Sequence, residues 1–297
     1  SRSLRSWRPK QYSAANYLTL KPYRGVKLYI YKDPSTRTIR YDELAEYLQG
    51  LIPRFKVEVR EEILAYAQRN WGVELRAVAY SIASTRVVDV LGCEPVGEPL
   101  PGEVAFEEKA ITNPGRKVGG ILYEGYALQR LLSSLIPKAE RRYGTLHTIL
   151  THRLLVTKEL GEGRGHARTI ILGNPVLIST TGLVEAPALP AEVYVKAQLF
   201  RGPDMQQLIV AEERQRLGRR VLSFDDERFT EVLKGYTLMG LFYYIFGDPF
   251  CGSPSCRLYN AHTHEELIEA QIESGRLCER HQCMLDSLKA ASITRDS

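Results

Sequence analysis

The sequence lacks long apolar runs. None of its apolar stretches reaches the roughly 18 residues that a membrane-spanning helix needs, and the most apolar one, 236–246, is short and rich in tyrosine. The basic stretch at 1–10 is not followed by an apolar segment, so we expect no secretory signal. These absences argue against a membrane protein and favour a cytoplasmic one.

The sequence also has few cysteines, and they are unevenly placed. Cys93 stands alone, whereas the other four of the five lie between 251 and 283. A disulfide framework of a small secreted protein would spread its cysteines along the chain. We therefore expect reduced thiols and one metal-binding corner.

Common catalytic motifs are missing as well. The sequence contains no His-Glu-x2-His zinc motif, and no Gly-x-Ser-x-Gly elbow surrounds the hydroxyls at 179–181. The glycine-rich stretch at 161–165 does not follow a strand and open a helix, which argues against a phosphate-binding loop.

The composition is that of an ordinary globular protein. With 297 residues, 44% of them hydrophobic and 25% charged, the chain can bury a sizeable core as one large domain or two small ones. The net charge of +5 is mild. Arg214, Arg216, Arg219 and Arg220 form a basic cluster, but no aromatic residues alternate with them, so nucleic-acid binding is an unfavoured prediction.

Hydrophobic periodicity predicts alternating strands and helices. Strands at 26–31 and 55–59 flank a helix at 41–51, and a second helix follows at 61–70. We therefore predict an α/β or α+β fold with a mixed twisted sheet backed by helices. The remaining predicted elements are an irregular connection at 95–120, a helix at 126–142, strands at 146–156, 169–172, 176–179 and 193–200, and a long central helix at 226–246.

The predicted domain boundary lies near residue 105. Residues 1–105 supply N-terminal strand–helix units, in the same domain or in a small one of their own. Residues 106–297 form the main domain, with the cysteine-rich segment at 247–284 as its C-terminal corner.

Two short pairs of metal-binding residue types lie in that corner. Cys251 and Cys256 are separated by four residues, Cys278 and His281 by two, and Cys283 follows two residues later. Zinc prefers four such ligands in a tetrahedron, and a closed set of four is structural. We predict one structural Zn²⁺ held by Cys251, Cys256, Cys278 and His281, with Cys283 as the alternative fourth ligand.

A second possible ligand group lies between the two pairs. Thr263 to Glu266 have the form of a capping box, and His262 would share a helix face with Glu265, Glu266 and Glu269. That face could bind a metal, with His262 as a ligand, or be a solvated acidic helix start.

The C-terminal half resembles the archaemetzincins, a family of zinc peptidases. Their signature is His-Glu-x2-His-x2-Gly-x2-His followed by Cys-x4-Cys-x-Met and a later Cys-x2-Cys. Here Gly247 matches the glycine, Cys251 and Cys256 the first pair, Leu258 the methionine, and Cys278 with His281 the last pair. Phrases such as CRLYNAH and ISTTGLVEAP are similar to those of uncharacterised archaeal metallopeptidase-like proteins.

The resemblance implies a metzincin-like fold and a strand that pairs with an extended peptide. The matching segment, LISTTGLVEAPA, implies peptide contacts from Ile178, Ser179, Thr180, Thr181 and Gly182.

The peptidase ligand positions are changed, however. Gly240 and Tyr244 stand in place of the two helix histidines, Leu241 in place of the glutamate, and Phe250 in place of the third histidine. Glycine and leucine offer no ligand or base, and the ordinary phenol pKa of about 10 makes tyrosine a poor zinc ligand.

Three hypotheses follow. The favoured one is a pseudo-peptidase that binds an extended peptide without cleaving it. The second is an active metal-dependent hydrolase with ligands drawn from His152, His166, His262 or the 265–269 face. The third is a nucleic-acid or protein-binding module that uses the cysteine-rich C-terminal corner and the arginine cluster.

Overall fold

The computed structural model describes residues 26–51, 55–115, 119–200 and 202–293. They form two mixed β-sheets backed by helices, which confirms the predicted α/β class. The strands are β1 (Lys27–Tyr31), β2 (Lys56–Arg60), β3 (Arg86–Val87), β4 (Leu122–Glu124), β5 (Thr145–Thr151), β6 (Leu154–Thr157), β7 (His166–Arg168), β8 (Ile170–Ile171) and β9 (Val176–Ser179). The helices are α1 (Tyr41–Leu51), α2 (Ile63–Trp71), α3 (Leu75–Ser84), α4 (Pro101–Thr112), α5 (Gly125–Ser134), α6 (Thr180–Glu185), α7 (Ala191–Gln198), α8 (Pro203–Leu217), α9 (Phe229–Phe246), α10 (His264–Ile268) and α11 (Glu279–Ile293), with a 3-10 turn at Gly218–Arg220 and a π-helical turn at Glu269–Ser274.

The larger sheet has the strand order β2-β1-β5-β9-β8. Its first four strands pair in parallel, and β8 pairs antiparallel with β9. β5 and β9 are buried at every position, as expected of parallel strands covered on both faces. Since β1 lies between β2 and β5, the N-terminal segment contributes two strands to the same sheet as the rest of the chain.

The smaller sheet has the order β3-β4-β6-β7, with β4 and β6 parallel and the outer pairs antiparallel. Only Thr169 separates β7 from β8. The extended segment 166–171 therefore passes from the edge of one sheet to the edge of the other.

Helix α9 packs centrally against the larger sheet, as predicted. Its buried side chains, such as Leu233 and Leu238 with no exposed surface, join those of β1, β5 and β9 in one core cluster. Burying a side chain of this size contributes about 1.5–3 kcal/mol. The helix ends at Gly247, whose φ of 68° is the left-handed conformation that favours glycine. Nowhere in the described part of the chain is a helix both long and apolar enough to cross a membrane.

The strand predicted at 193–200 is wrong, because these residues lie in and just after helix α7. Val193 and Ala197 are the buried positions, and their spacing of four residues is that of one helix face. Pro190 occupies the N-cap position of this helix. The alternation of apolar and polar residues also fits a short helix that packs on one side.

Two further predictions are corrected. The stretch 95–120 is not irregular throughout, since Pro101 begins helix α4, where its missing N–H costs nothing. Glu103 Oε2 accepts the Leu100 N–H at 2.8 Å and helps to start this helix. The single strand predicted at 146–156 is two strands, β5 and β6, which belong to different sheets.

Candidate metal centre and binding groove

Four side chains converge at the C-terminal corner. One ligand atom each from Cys251, Cys256, Cys278 and His281 lies within 4.8 Å of the others. The sulfurs of Cys251 and Cys278 are 3.8 Å apart, and His281 Nδ1 is 3.7 Å from Cys256 Sγ. Tetrahedral zinc with Zn–S bonds of about 2.3 Å places two sulfurs about 3.8 Å apart. The four residues therefore fit a zinc ion, and we call them the zinc corner.

Backbone contacts hold the two halves of the zinc corner together. The Arg257 N–H donates to the Arg276 carbonyl at 2.7 Å, which joins the first cysteine pair to the segment that leads to the second. The Cys278 N–H also points at Cys256 Sγ, at 3.4 Å. Such N–H groups favour the thiolate form, which is the form that binds metal.

Burial determines the protonation of the metal-free zinc corner. It raises the pKa of Cys256 to about 12 and lowers the pKa of His281 to about 4. At neutral pH the imidazole is therefore ready to act as a ligand, whereas the thiols must lose protons as metal binds. The His281 ring packs edge-on against Phe242, at 5.6 Å between ring centroids, so packing orients this ligand.

Cys283 and His262, the alternative ligands, lie outside the zinc corner. Cys283 is exposed and stands two residues beyond His281 on α11, which directs it to another side of the helix. His262 precedes α10, and its N–H donates to Glu266 Oε2 at 2.7 Å. Glu266 and Thr263 form the predicted capping box, so this carboxylate is engaged in starting the helix.

A groove of about 820 Å³ lies beside the edge segment 166–171. Residues 164–172 form one wall, and Tyr236 and Tyr243 of α9 face it together with Phe250. Residues 260–262 and 186–188 also line the groove, together with Glu159 and Tyr194. It therefore combines a strand edge with several aromatic and apolar side chains.

The backbone of β8 has groups that do not pair with β9. Ser179 N–H donates to Thr169 O at 2.8 Å, so residues 169 and 179 form a hydrogen-bonded pair of the antiparallel ladder. The next pair, Ile170 with Ile178, is then a non-hydrogen-bonded one. The N–H and C=O of Ile170 consequently point away from β9, on the side where no described strand lies.

The segment predicted to pair with a peptide, Ile178 to Gly182, has no free edge. β9 ends at Ser179 and has β5 on one side and β8 on the other. Thr180, Thr181 and Gly182 are buried in helix α6. The structure therefore places β8, which pairs antiparallel with β9, at the edge of the sheet instead of β9.

The similarity to known proteins agrees with the sequence resemblance. The sequence profile described as "Probable metallopeptidase family (DUF6775)" matches residues 25–288. The chain belongs to this family. A search of curated proteins found no match.

One solved structure similar to this DUF6775 member is the crystal structure of archaemetzincin from Methanopyrus kandleri. The two chains are 14% identical, and the alignment covers 89% of this chain and 96% of that one with a TM-score of 0.35. A TM-score below 0.5 supports no inference about individual residues.

In this DUF6775 member, two of the positions that match the peptidase site, Gly240 and Leu241, are packed in the core. A Cβ atom on Gly240 would lie 2.8 Å from Val176 Cγ2, and Leu241 is 2% exposed. The Tyr244 hydroxyl accepts a hydrogen bond from the Gly144 N–H at 2.8 Å. Burial raises the pKa of the Tyr244 phenol. Gly240 and Leu241 offer no ligand or base, and the packing at Gly240 leaves no space for a larger side chain.

The three histidines proposed as relocated ligands are not all brought together. His166 and His262 line the groove, but His152 is buried, with Nδ1 3.7 Å from Asp33 Oδ1, and is not among the groove residues. Within the described ranges, the zinc corner is the only group of three or more histidine, cysteine or acidic residues placed to hold a metal.

The arginine cluster is not a uniform basic surface. Arg214 is partly buried and donates to the carbonyls of Val184 and Leu222 at 3.0 and 3.2 Å. Arg216 Nη1 lies 3.8 Å from Glu213 Oε1. The first of these arginines therefore supports the fold.

Proposed function

We propose that this protein binds an extended peptide in its groove without cleaving it, and that the zinc corner holds one structural zinc ion. The observation that supports the proposal is the antiparallel edge at β8, beside which no further described strand lies and which forms part of a wall of the groove. Strand addition at such an edge provides affinity through main-chain hydrogen bonds, and side-chain pockets provide selectivity.

The shape and lining of the groove support a peptide ligand. Its volume of about 820 Å³ lies within the range of roughly 300–1,000 Å³ that ligand sites occupy. Tyr243 and Tyr194 are about two-fifths exposed there, at 42% and 43%, and offer apolar rings with a polar tip to a partner.

The residues of α9 support binding without cleavage. A zinc peptidase needs two histidine ligands on one helix face and a carboxylate that activates the bound water. Gly240, Leu241 and Tyr244 supply none of these groups. The zinc corner cannot replace such a site, because four protein ligands leave no open position for water or substrate. Its reduced thiols fit a cytosolic location.

A selection experiment tests this proposal. Wild-type protein and two variants are used as baits for a phage-displayed library of random decapeptides. Ile170→Pro removes the N–H that points away from β9 and retains the bonds of β8 to β9, because proline is tolerated on the open side of an edge strand. Ile170→Ala is the matched control, since it loses the same side-chain contacts but retains the N–H.

We expect wild type and Ile170→Ala to enrich a common set of peptides, and Ile170→Pro to enrich none of them while keeping its melting transition. Mass spectrometry of the enriched peptides after incubation with zinc-loaded protein should find them intact. Equal enrichment by all three baits would contradict groove binding. Metal-dependent cleavage would instead support the hydrolase alternative.

A further inference from the structure

We infer that the groove recognises a carboxylate of its peptide, and that Arg164 is the residue that selects it. This inference rests on the proposed peptide-binding function. Apart from histidines, the ionisable acidic and basic side chains that line the groove are Glu159, Arg164 and Arg168. Two of the three are cations.

Basic side chains and a histidine lie along the start of the edge segment. Side chains of a strand alternate between its two faces, so His166 and Arg168 of β7 point to the same side. Arg164 lies in the bend two residues before His166, outside the strand, and lines the same groove.

Arg168 is already neutralised within the protein. Its guanidinium donates to Thr157 Oγ1 at 2.8 Å and to Glu162 at 3.2 Å, and it lies 3.5 Å from Glu159 Oε1. These contacts hold the side chain in place and satisfy its charge. It is therefore a fixed part of the wall.

Arg164 is the cation that remains available. It is exposed and lines the groove, and it forms no ion pair with a carboxylate in the described part of the chain. Its backbone is nevertheless held. The neighbouring Gly165 donates its N–H to Val90 O at 2.7 Å and packs so closely that a Cβ would lie 2.7 Å from Cys93 Sγ.

A guanidinium on an anchored backbone matches the chemistry of a carboxylate, with which arginine forms bidentate hydrogen bonds. The carboxylate could come from an aspartate or glutamate side chain or from the C-terminus of the peptide. Both sources offer the same two oxygens, so they must be distinguished by experiment.

The test uses four fluorescein-labelled decapeptides of alternating serine and valine. One is neutral with an amidated C-terminus, one has a free C-terminal carboxylate, and two carry a single glutamate at the third or the eighth position with an amidated C-terminus. Fluorescence polarisation measures their affinities for wild type, Arg164→Gln and Arg76→Gln. Arg76 is the matched control, because its side chain is 77% exposed and lies outside the groove.

We expect at least one carboxylate peptide to bind wild type and Arg76→Gln roughly tenfold more tightly than the neutral peptide, as one charge-assisted hydrogen-bonded pair predicts. Arg164→Gln should abolish this preference, so that the carboxylate peptide binds no more tightly than the neutral one. Added salt should weaken the preference of the wild-type protein. The peptide that gains affinity identifies the source of the carboxylate.

The failures are distinguishable. Equal affinity of all four peptides for wild type, or a preference that survives Arg164→Gln, would overturn the carboxylate inference and leave the groove function standing. Binding of none of the four would overturn both. Displacement of the bound peptide by decathymidylate at the same concentration would also overturn the carboxylate inference, since the groove would then prefer a phosphate backbone.

Discussion

The zinc corner and helix α9, which directly precedes it in the chain, differ in chemistry. The zinc corner brings four donor atoms within 4.8 Å of one another. The α9 face, where the zinc peptidases carry their catalytic ligands, instead presents Gly240 and Leu241 to the sheet. The comparison teaches that two neighbouring regions carry different chemistry, because the zinc corner offers four donor atoms that could hold a metal and Gly240 and Leu241 offer none.

The largest expected effect is the loss of the zinc corner. Cys278→Ala removes one of four ligands, and structural zinc contributes on the order of 10 kcal/mol to folding. We expect the variant to contain no zinc and to show no cooperative melting transition above room temperature. Cys283→Ala is the matched control, since this exposed thiol lies outside the zinc corner. Equal zinc content in both variants would show that the ligand set is wrong.

Acid should weaken the protein through a second group, which must be separated from the zinc corner. Burial and the neighbouring Arg214 lower the pKa of His264 to about 4. Because the folded state resists protonation, its contribution is complete above the unfolded pKa of about 6.5 and is lost as the pH falls toward 4. We expect a loss of about 3 kcal/mol over this window.

Denaturant unfolding of zinc-loaded protein at a series of pH values measures this effect, with His264→Gln as the comparison. The variant should be less stable at pH 7 and should lose less stability on acidification. An identical pH slope in the two proteins would assign all of the acid sensitivity to other groups, including the zinc corner.

A smaller effect is expected where α9 packs on the sheet. In Gly240→Ala, the new methyl group would lie 2.8 Å from Val176 Cγ2, and such overpacking costs about 1–3 kcal/mol. The zinc content should not change. Val176→Ala in the same chain should recover part of the loss, because it removes the atoms that clash. Additive losses in the double variant would contradict the close packing.

The smallest effect is expected at the tyrosine in the second histidine position. Tyr244→Phe removes the hydroxyl that accepts the Gly144 N–H and should cost about 1 kcal/mol without changing the metal content. Chemical denaturation gives the stability, and elemental analysis gives the metal content. Loss of metal from this variant would show that the phenol is a ligand after all.

The zinc corner was predictable because its information is local. Short spacings place Cys251 near Cys256 and Cys278 near His281, and the capping box at Thr263 depends only on neighbours in sequence. Helix α9 was predictable for the same reason, since its apolar positions and its terminal Gly247 are local signals.

The groove was not predictable, because it depends on strand order. The residues at 169–172 were recognised as a strand, but nothing in their pattern shows that β8 lies at an edge and β9 does not. The tyrosines of the groove come from distant elements, such as Tyr194 of α7 and Tyr243 of α9. Tertiary contacts bring these tyrosines together, and a single sequence does not record tertiary contacts.

The most direct test of the central claim is the metal content of wild-type protein purified without added metal, combined with incubation of its selected peptides. We predict one zinc per chain, resistant to a mild chelator while the protein is folded, and peptides that stay intact. A second metal that a mild chelator removes without unfolding the protein, together with peptide cleavage that stops on its removal, would contradict the account.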